Sequence, residues 1–179
     1  GTPAGNYSVG YSICENLNPT NCASANISVT VAPTAISASN DAGGPVVGRT
    51  GAPTLVNAVA NDRLNGSPIN LADVVATVTT PAVPASVGAP VPVLDPATGI
   101  VSVPAATPAG SYTIAYQLCE RLNPTNCANA TITVAVTAAP IAAANDSAGP
   151  VSTATGGANI FDALANDTLA GVAINPADV

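Results

Sequence analysis

The sequence predicts an all-β chain made of tandem β-sandwich repeats of about 105 residues, and three observations support this prediction. Apolar and polar residues alternate over several short segments, which is the period of a half-buried strand. Turn residues separate these segments, and no helical pattern lies between them. The sequence also repeats itself at a fixed offset of 105 residues, as repeat architectures do.

The clearest strand signals form a hairpin. Residues 110–119 (GSYTIAYQLC) and 127–136 (CANATITVAV) place apolar side chains at every second position. The intervening ERLNPTN contains turn-forming Asn and Pro residues, so we expect two antiparallel strands. Tyr112, at the start of the first strand, resembles a tyrosine corner, and Tyr7 repeats it one unit earlier. A plain core tyrosine is the alternative at both positions.

Shorter strand signals precede this hairpin. They cover residues 35–40, 54–60, 73–79, 91–94 and 100–103. Between the last two, Asp-Pro-Ala-Thr-Gly predicts a tight turn with a left-handed residue. About seven short strands per repeat predict a Greek-key β-sandwich of the immunoglobulin-like kind. The uncharged stretch 74–94 contains four prolines, which would break a membrane-spanning helix.

The repeat also sets the expected domain organisation. Residues 1–74 align without a gap with residues 106–179, and more than half of the positions are identical. We predict that residues 1–35 are the C-terminal strands of a preceding repeat, 36–140 a complete repeat, and 141–179 the N-terminal strands of a following repeat. This organisation suits a segment of a longer tandem array. The alternative is that incomplete domains complete each other between subunits.

Each hairpin loop is flanked by two cysteines, Cys14 with Cys22 and Cys119 with Cys127. The alternation places both members of a pair on the same polar strand face, so we expect a disulfide that closes each loop. A metal site is the weaker alternative, because two cysteines without a histidine make a poor zinc site. Disulfides indicate an oxidising compartment, and we expect an extracellular or cell-surface location.

Composition excludes several function classes. The chain contains no His, Lys, Met or Trp, and its net charge is −7 with three arginines. A Ser-His-Asp triad, an imidazole metal site and a Schiff-base lysine are therefore excluded. The negative charge argues against nucleic acid and anionic membrane surfaces. Glu15 and Glu120 have no paired carboxylate, so we interpret them as solvated edge charges and expect neither catalytic residues nor an enzyme.

Aspartates that recur one repeat apart are the candidates for calcium binding. They are Asp41, Asp62, Asp73, Asp146, Asp167 and Asp178. Carboxylate oxygens suit calcium, but the sequence lacks the dense Asp spacing of strong calcium sites. Asp and Asn beside strand ends usually form turns. We therefore expect turn formers and no cofactor, with calcium as the alternative.

Three motifs carry a family resemblance. They are SYTIAYQLCERLNPTNC (111–127), Ala-Asn-Asp (60–62 and 165–167) and Leu-Asp-Pro-Ala-Thr-Gly (94–99). These motifs resemble tandem Ig-like or cadherin-like repeats of long bacterial surface or secreted adhesin-type proteins. The resemblance implies a stalk or filament that projects binding parts from a cell or builds a matrix, and it supplies no catalytic residues.

Taken with a charged fraction of only 7%, the resemblance predicts a structural repeat segment of an extracellular bacterial filament or adhesin stalk that self-associates through β-sandwich domains. The expected partners are other copies of the chain or neighbouring repeats of the same chain, with no nucleic acid and no membrane insertion. A glycan- or surface-binding adhesin module is the alternative. The aromatic residues that could serve such a module are Tyr7, Tyr11, Tyr112, Tyr116 and Phe161.

Overall fold

The computed structural model of the chain describes residues 1–158 and 160–179. The described residues form short β-strands and a single 3-10 helix (Pro176–Asp178). The strands are β1 (Gly5–Cys14), β2 (Cys22–Val31), β3 (Ile36–Ser37), β4 (Asp41–Val47), β5 (Ala52–Asn57), β6 (Arg63–Leu64), β7 (Ser67–Pro68), β8 (Val74–Thr80), β9 (Val93–Asp95), β10 (Ile100–Val103), β11 (Gly110–Glu120), β12 (Cys127–Thr137), β13 (Ile141–Ala142), β14 (Thr168–Leu169) and β15 (Val172–Ala173).

Two sheets pack face to face to form a β-sandwich, which we call the central sandwich (residues 36–137). One sheet has the strand order β4-β12-β11-β8, and the other has the order β5-β10-β9. The chain crosses from the first sheet to the second between β8 and β9, and it returns between β10 and β11. The predicted all-β Greek-key sandwich is therefore confirmed.

The core lies between the two sheets and consists of the apolar faces that the alternation predicts. In β11 and β12, Ile114 lies opposite Ile132, and Tyr112 lies opposite Val134. All four side chains are buried, together with Val101 of β10. Alternate residues such as Thr113 point away from the core and are exposed. Burial of these apolar faces is the main stabilising contribution to the sandwich.

Strand β4 has no counterpart among the predicted strands. Its sequence, DAGGPVV, shows no alternation and contains Gly and Pro, which usually mark turns. In the structure β4 pairs in parallel with β12, and the pairing shifts register between Val134 and Val136. Gly44 has a φ of 99° and lies so close to the carbonyl of Ala135 that a Cβ atom would clash with it. The glycine thus permits the strand rather than ending it.

Other element boundaries differ modestly from expectation. The strand expected over 35–40 is only two residues long, and the strand expected over 54–60 ends at Asn57, where a turn begins. The Asp95–Gly99 turn is confirmed: the backbone N–H of Gly99 donates to the carbonyl of Asp95 over 2.8 Å, and Gly99 has a φ of 73°. In this turn the Thr98 hydroxyl donates to the Asp95 carboxylate, which lowers the pKa of Asp95.

Small elements recur at the offset of the sequence repeat. Strands β3, β6 and β7 form a three-stranded sheet, and β13, β14 and β15 form a similar sheet 105 residues later. Strands β1 and β2 form a separate two-stranded sheet, the N-terminal hairpin (residues 5–31), with the same register as the β11–β12 pair. None of the helices within the described residues is long and apolar enough to cross a membrane.

Candidate functional site

A polar cluster lies at one end of the apolar core, around the hydroxyl of Tyr116. Strand β11 places Tyr116 on the core face, and the turn after β5 places Asp62 next to it. The Tyr116 hydroxyl donates to Asp62 Oδ2 over 2.9 Å, and the carbonyl of Ala58 lies 3.0 Å away. The other oxygen of the Asp62 carboxylate accepts the backbone N–H of Ser39 over 2.7 Å. The carboxylate therefore joins three parts of the sandwich.

Asp41 belongs to the same cluster but lies nearer to the surface. Its carboxylate accepts the side-chain amide of Asn61 over 3.1 Å, and its other oxygen lies 3.3 Å from the Tyr116 hydroxyl. Partial burial raises the pKa of Asp41, and repulsion from Asp62 adds to this effect. Burial and the two carboxylates also raise the pKa of Tyr116. The Tyr116 hydroxyl therefore stays protonated and can act as a donor.

The six aspartates are not gathered into one site. Asp73 precedes β8, Asp146 lies exposed in an irregular segment, and Asp178 forms an ion pair of 2.8 Å with Arg49. Asp167 repeats the role of Asp62, since its carboxylate accepts the backbone N–H of Ala144 over 2.8 Å. Among residues 1–158 and 160–179, no group of three or more Asp, Glu, His or Cys side chains could hold a metal ion. The structure therefore gives calcium no ligand cluster in these residues.

The four cysteines form two disulfides. Cys14 is bonded to Cys22 and Cys119 to Cys127, with S–S distances of 2.03 and 2.06 Å. In each hairpin the two cysteines are directly opposite each other, at the last paired position before the loop. Each disulfide thus closes a loop of identical turn sequence, Leu-Asn-Pro-Thr-Asn, at the end of its hairpin.

The glutamate after the first cysteine organises each loop. Glu15 accepts the side-chain amides of Asn18 and Asn21, over 2.7 and 3.0 Å. These hydrogen bonds lower the pKa of Glu15, the one from Asn21 most. The interpretation of Glu15 as an exposed charge agrees with the structure, although its role in shaping the loop was not expected.

The interpretation of Glu120 as a solvated edge charge is wrong. Its side chain is only 4% exposed, because β8 lies alongside β11 and the segment before β3 covers the loop. The Glu120 carboxylate accepts the Asn126 amide and the Thr34 hydroxyl, each over 2.9 Å. The pKa of Glu120 is lowered, chiefly by the hydrogen bond from Asn126.

Both proposed tyrosine corners have the expected hydrogen bond. The Tyr112 hydroxyl donates to the carbonyl of Pro108, and the Tyr7 hydroxyl donates to the carbonyl of Pro3, each over 2.8 Å. Tyr112 is also a buried core residue, so both interpretations apply to it. Tyr7, for which a core position is the alternative interpretation, is exposed in the N-terminal hairpin, and so is Tyr11.

Sequence reasoning missed the polar role of Tyr116. This residue was expected only as one apolar position of an alternating strand, and periodicity gives no information about its hydroxyl. Its environment arises from long-range contacts with Ser39 and Asp62, which are far from it in sequence. The available signal was the repeated Asn-Asp pair, since a buried aspartate at a strand end requires a donor.

Comparisons with known proteins identify structural likeness alone. No family model matches the chain, and no curated protein matches it in sequence. The human desmocollin-1 ectodomain is similar with a TM-score of 0.39 and 8% identity, over 64% of this chain and 23% of that chain. Protocadherin gamma B2 extracellular cadherin domains 3–6 give 0.42 and 9%, over 81% and 36%. Zebrafish RET cadherin-like domains 1 to 4 give 0.32 and 14%, over 76% and 31%.

The present chain thus spans between about a quarter and about a third of the length of these structures. The sheet order defines the chain as an all-β protein with a β-sandwich, in which two disulfide-closed hairpins and two small sheets share the same pairing.

Proposed function

We propose that the chain is a structural repeat segment of an extracellular bacterial filament or adhesin stalk and that it self-associates through its β-sandwich domains. In this proposal, residues 1–35, 36–140 and 141–179 belong to three consecutive repeats. None of them has a catalytic role.

The single observation that carries the proposal is the exposed apolar face of the N-terminal hairpin. Tyr11 is 48% exposed, whereas Tyr116, its equivalent in β11, is fully buried. The same contrast holds between Ile27 and Ile132. The remaining exposed large apolar residues of strands β1 and β2 are Tyr7, Val9, Ile13 and Val29. An apolar face of this kind marks a surface that binds a protein partner.

The sequence repeat specifies that partner. In the central sandwich, the sheet β5-β10-β9 covers the apolar face of β11 and β12. The N-terminal hairpin repeats the apolar positions of β11 and β12. The segment that would cover its apolar face should therefore resemble residues 52–103 in sequence. A neighbouring repeat of the same chain or another copy would supply this segment.

Two further features support an extracellular structural role. Disulfides persist in oxidising environments, which include the cell surface and the extracellular space. A charged fraction of 7% leaves little electrostatic repulsion between neighbouring copies. The bacterial origin in the proposal is taken from the resemblance of the Cys-bracketed loop and the Ala-Asn-Asp motifs to adhesin-type repeats.

Negative-stain electron microscopy of the native material tests the proposal. Ordered fibres or linear strings of similar beads are the expected result, because repeated sandwiches stack in one dimension. Isolated compact particles, whose size does not change with concentration in sedimentation velocity, would contradict it. A glycan array tests the alternative adhesin module. Binding of glycans by dissociated single chains would favour a glycan-binding role over a purely structural one.

A further inference from the structure

We infer that the disulfide-closed loop of the central sandwich (residues 119–127) is a metal-free docking element that holds this sandwich against the preceding repeat. This inference rests on the proposed function as a tandem array, and it adds which surface joins consecutive repeats and by what chemistry.

Three hydrogen bonds connect the loop with residues that precede the central sandwich. The side-chain amide of Asn126 donates to the carbonyl of Thr34 over 2.6 Å. The Thr34 hydroxyl donates to the Glu120 carboxylate over 2.9 Å. The backbone N–H of Ala4, at the base of the N-terminal hairpin, donates to the side-chain oxygen of Asn123. The loop is thus bound both to the linker before β3 and to the residue directly before the hairpin.

The chain contains its own comparison, because the same loop occurs in the N-terminal hairpin as residues 14–22. There the Asn18 amide, equivalent to that of Asn123, donates to Glu15 over 2.7 Å. Leu17 is 89% exposed in that loop, whereas the equivalent Leu122 is 47% exposed. The neighbouring segment accounts for the difference, since the backbone of Gly1 lies against the Leu122 side chain. Contact with the residues before the hairpin therefore shields the loop of the central sandwich from solvent, whereas the equivalent loop 14–22 is exposed.

The chemistry of this contact needs no metal ion. The Glu120 carboxylate is compensated by neutral hydrogen-bond donors, Asn126, Asn123 and Thr34, and not by a cation. No group of three metal-ligating side chains occurs within residues 1–158 and 160–179. At the opposite end of the central sandwich, Arg49 and Asp178 form an ion pair, but both are substantially exposed, and such pairs contribute little. The loop is therefore the stronger of the two connections.

Amide hydrogen exchange in the full chain, followed by NMR, tests the inference. In a variant with Asn123→Ala and Asn126→Ala, we expect the Ala4 amide to exchange at least about tenfold faster, because its acceptor is gone. The matched control changes Asn18 and Asn21 to Ala in the open copy of the loop and should leave Ala4 unchanged. Unchanged exchange of Ala4 in the first variant would overturn the inference.

A second variant distinguishes loss of docking from a folding defect in the loop. Thr34→Val lies outside the sandwich strands, and it removes the hydroxyl that binds Glu120. We expect small-angle X-ray scattering to show a larger spread of dimensions for Thr34→Val. The central sandwich should stay folded, because the variant loses only one of the hydrogen bonds to Glu120. Identical scattering from Thr34→Val and the wild-type chain would count against docking by the loop.

Chelation tests the metal-free part of the inference. Scattering and amide exchange should be the same in EDTA and in millimolar calcium. A narrower spread of dimensions or slower exchange of the Ala4 amide in calcium would overturn this part. Failure of the proposed function is seen separately, as the absence of fibres or strings in wild-type material. Fibres together with unaltered exchange in the loop variant would contradict the docking element and leave the array itself intact.

Discussion

The hydroxyl of Tyr116 lies 2.9 Å from a carboxylate oxygen of Asp62, and both side chains are fully buried. The contact connects β11, in one sheet of the sandwich, with the turn that follows β5, in the other. It is a charge-assisted hydrogen bond in a water-poor environment, where such bonds are strong and where loss of one partner is costly.

Replacement of Tyr116 by Phe should therefore destabilise the central sandwich by about 1–3 kcal/mol, since the Asp62 carboxylate loses a donor while it stays buried. Urea unfolding followed by tyrosine fluorescence measures the change. The matched control is Tyr11→Phe, because Tyr11 is the repeat equivalent of Tyr116 and is exposed. The control should change stability by less than about 0.5 kcal/mol. Equal effects of the two variants would contradict the role assigned to Asp62.

The contribution of Asp41 to the free energy of unfolding should depend on pH with a sign opposite to that of most carboxylates. Its pKa is raised in the folded state by partial burial, so its charged form disfavours folding above that pKa. This unfavourable contribution disappears as the pH falls and the group becomes protonated. We expect Asp41→Asn to be at least as stable as the wild-type chain at neutral pH, with a difference that shrinks towards acid pH.

Denaturant titrations of Asp41→Asn at several pH values measure that difference. Asp146→Asn is the control, because Asp146 is the repeat equivalent of Asp41 and lies exposed. A gap between Asp41→Asn and the wild-type chain that widens towards acid pH would contradict the raised pKa.

The contribution of Glu120 to the free energy of unfolding should have the opposite pH dependence to that of Asp41. Hydrogen bonds from Asn126 and Thr34 stabilise its charged form, so its pKa is lowered on folding. The resulting stabilisation is present above the pKa of the unfolded chain and is lost as the pH falls through the folded value. Glu120→Gln should therefore be less stable than the wild-type chain at neutral pH, and the two should converge in acid. Glu15→Gln, tested by the same titrations, should leave the unfolding of the central sandwich unchanged at every pH.

The disulfides offer a further matched pair of variants. Removal of the Cys119–Cys127 bond by substitution with Ala should destabilise the central sandwich by about 2 kcal/mol, since the bond closes a short loop and removes modest chain entropy from the unfolded state. Removal of the Cys14–Cys22 bond should not change that transition, because β1 and β2 pair only with each other within the described residues. Differential scanning calorimetry measures both, and a similar loss in both variants would argue that the hairpin is part of the cooperative unit.

How far the sequence predicts this molecule depends on the range of the interactions involved. The β11–β12 hairpin was predicted with its faces correct, because alternation and turn residues are local signals. Strand β4 was missed because it has no alternating pattern; its pairing with β12 makes it a strand, and the lack of a side chain at Gly44 permits that pairing. The burial of Glu120 was also missed, since Thr34 covers it from a distance of 86 residues in sequence.

The candidate site shows the same division. Asp62 and Asp167 each lie between a turn and a short strand and accept a backbone N–H there, whereas Asp146 lies in an irregular segment and Asp178 in the 3-10 helix. The repeated Asn-Asp pairs mark both Asp41 and Asp62, but local sequence does not distinguish the fully buried aspartate from the partly buried one. That property depends on whether a partner such as Tyr116 reaches it across the sandwich.

The exposed hairpin face supplies the prediction that connects folding with assembly. Ile132 is fully buried and Ile27, its repeat equivalent, is half-exposed. Ile132→Ala should cost about 2–5 kcal/mol, as a large-to-small change in a packed core does. Ile27→Ala should change the stability of an isolated chain by less than about 0.5 kcal/mol. If repeats cover this face in the assembled protein, Ile27→Ala should instead weaken association. Sedimentation velocity over a range of concentrations measures this, and unchanged association in Ile27→Ala would show that the hairpin face is not the assembly surface.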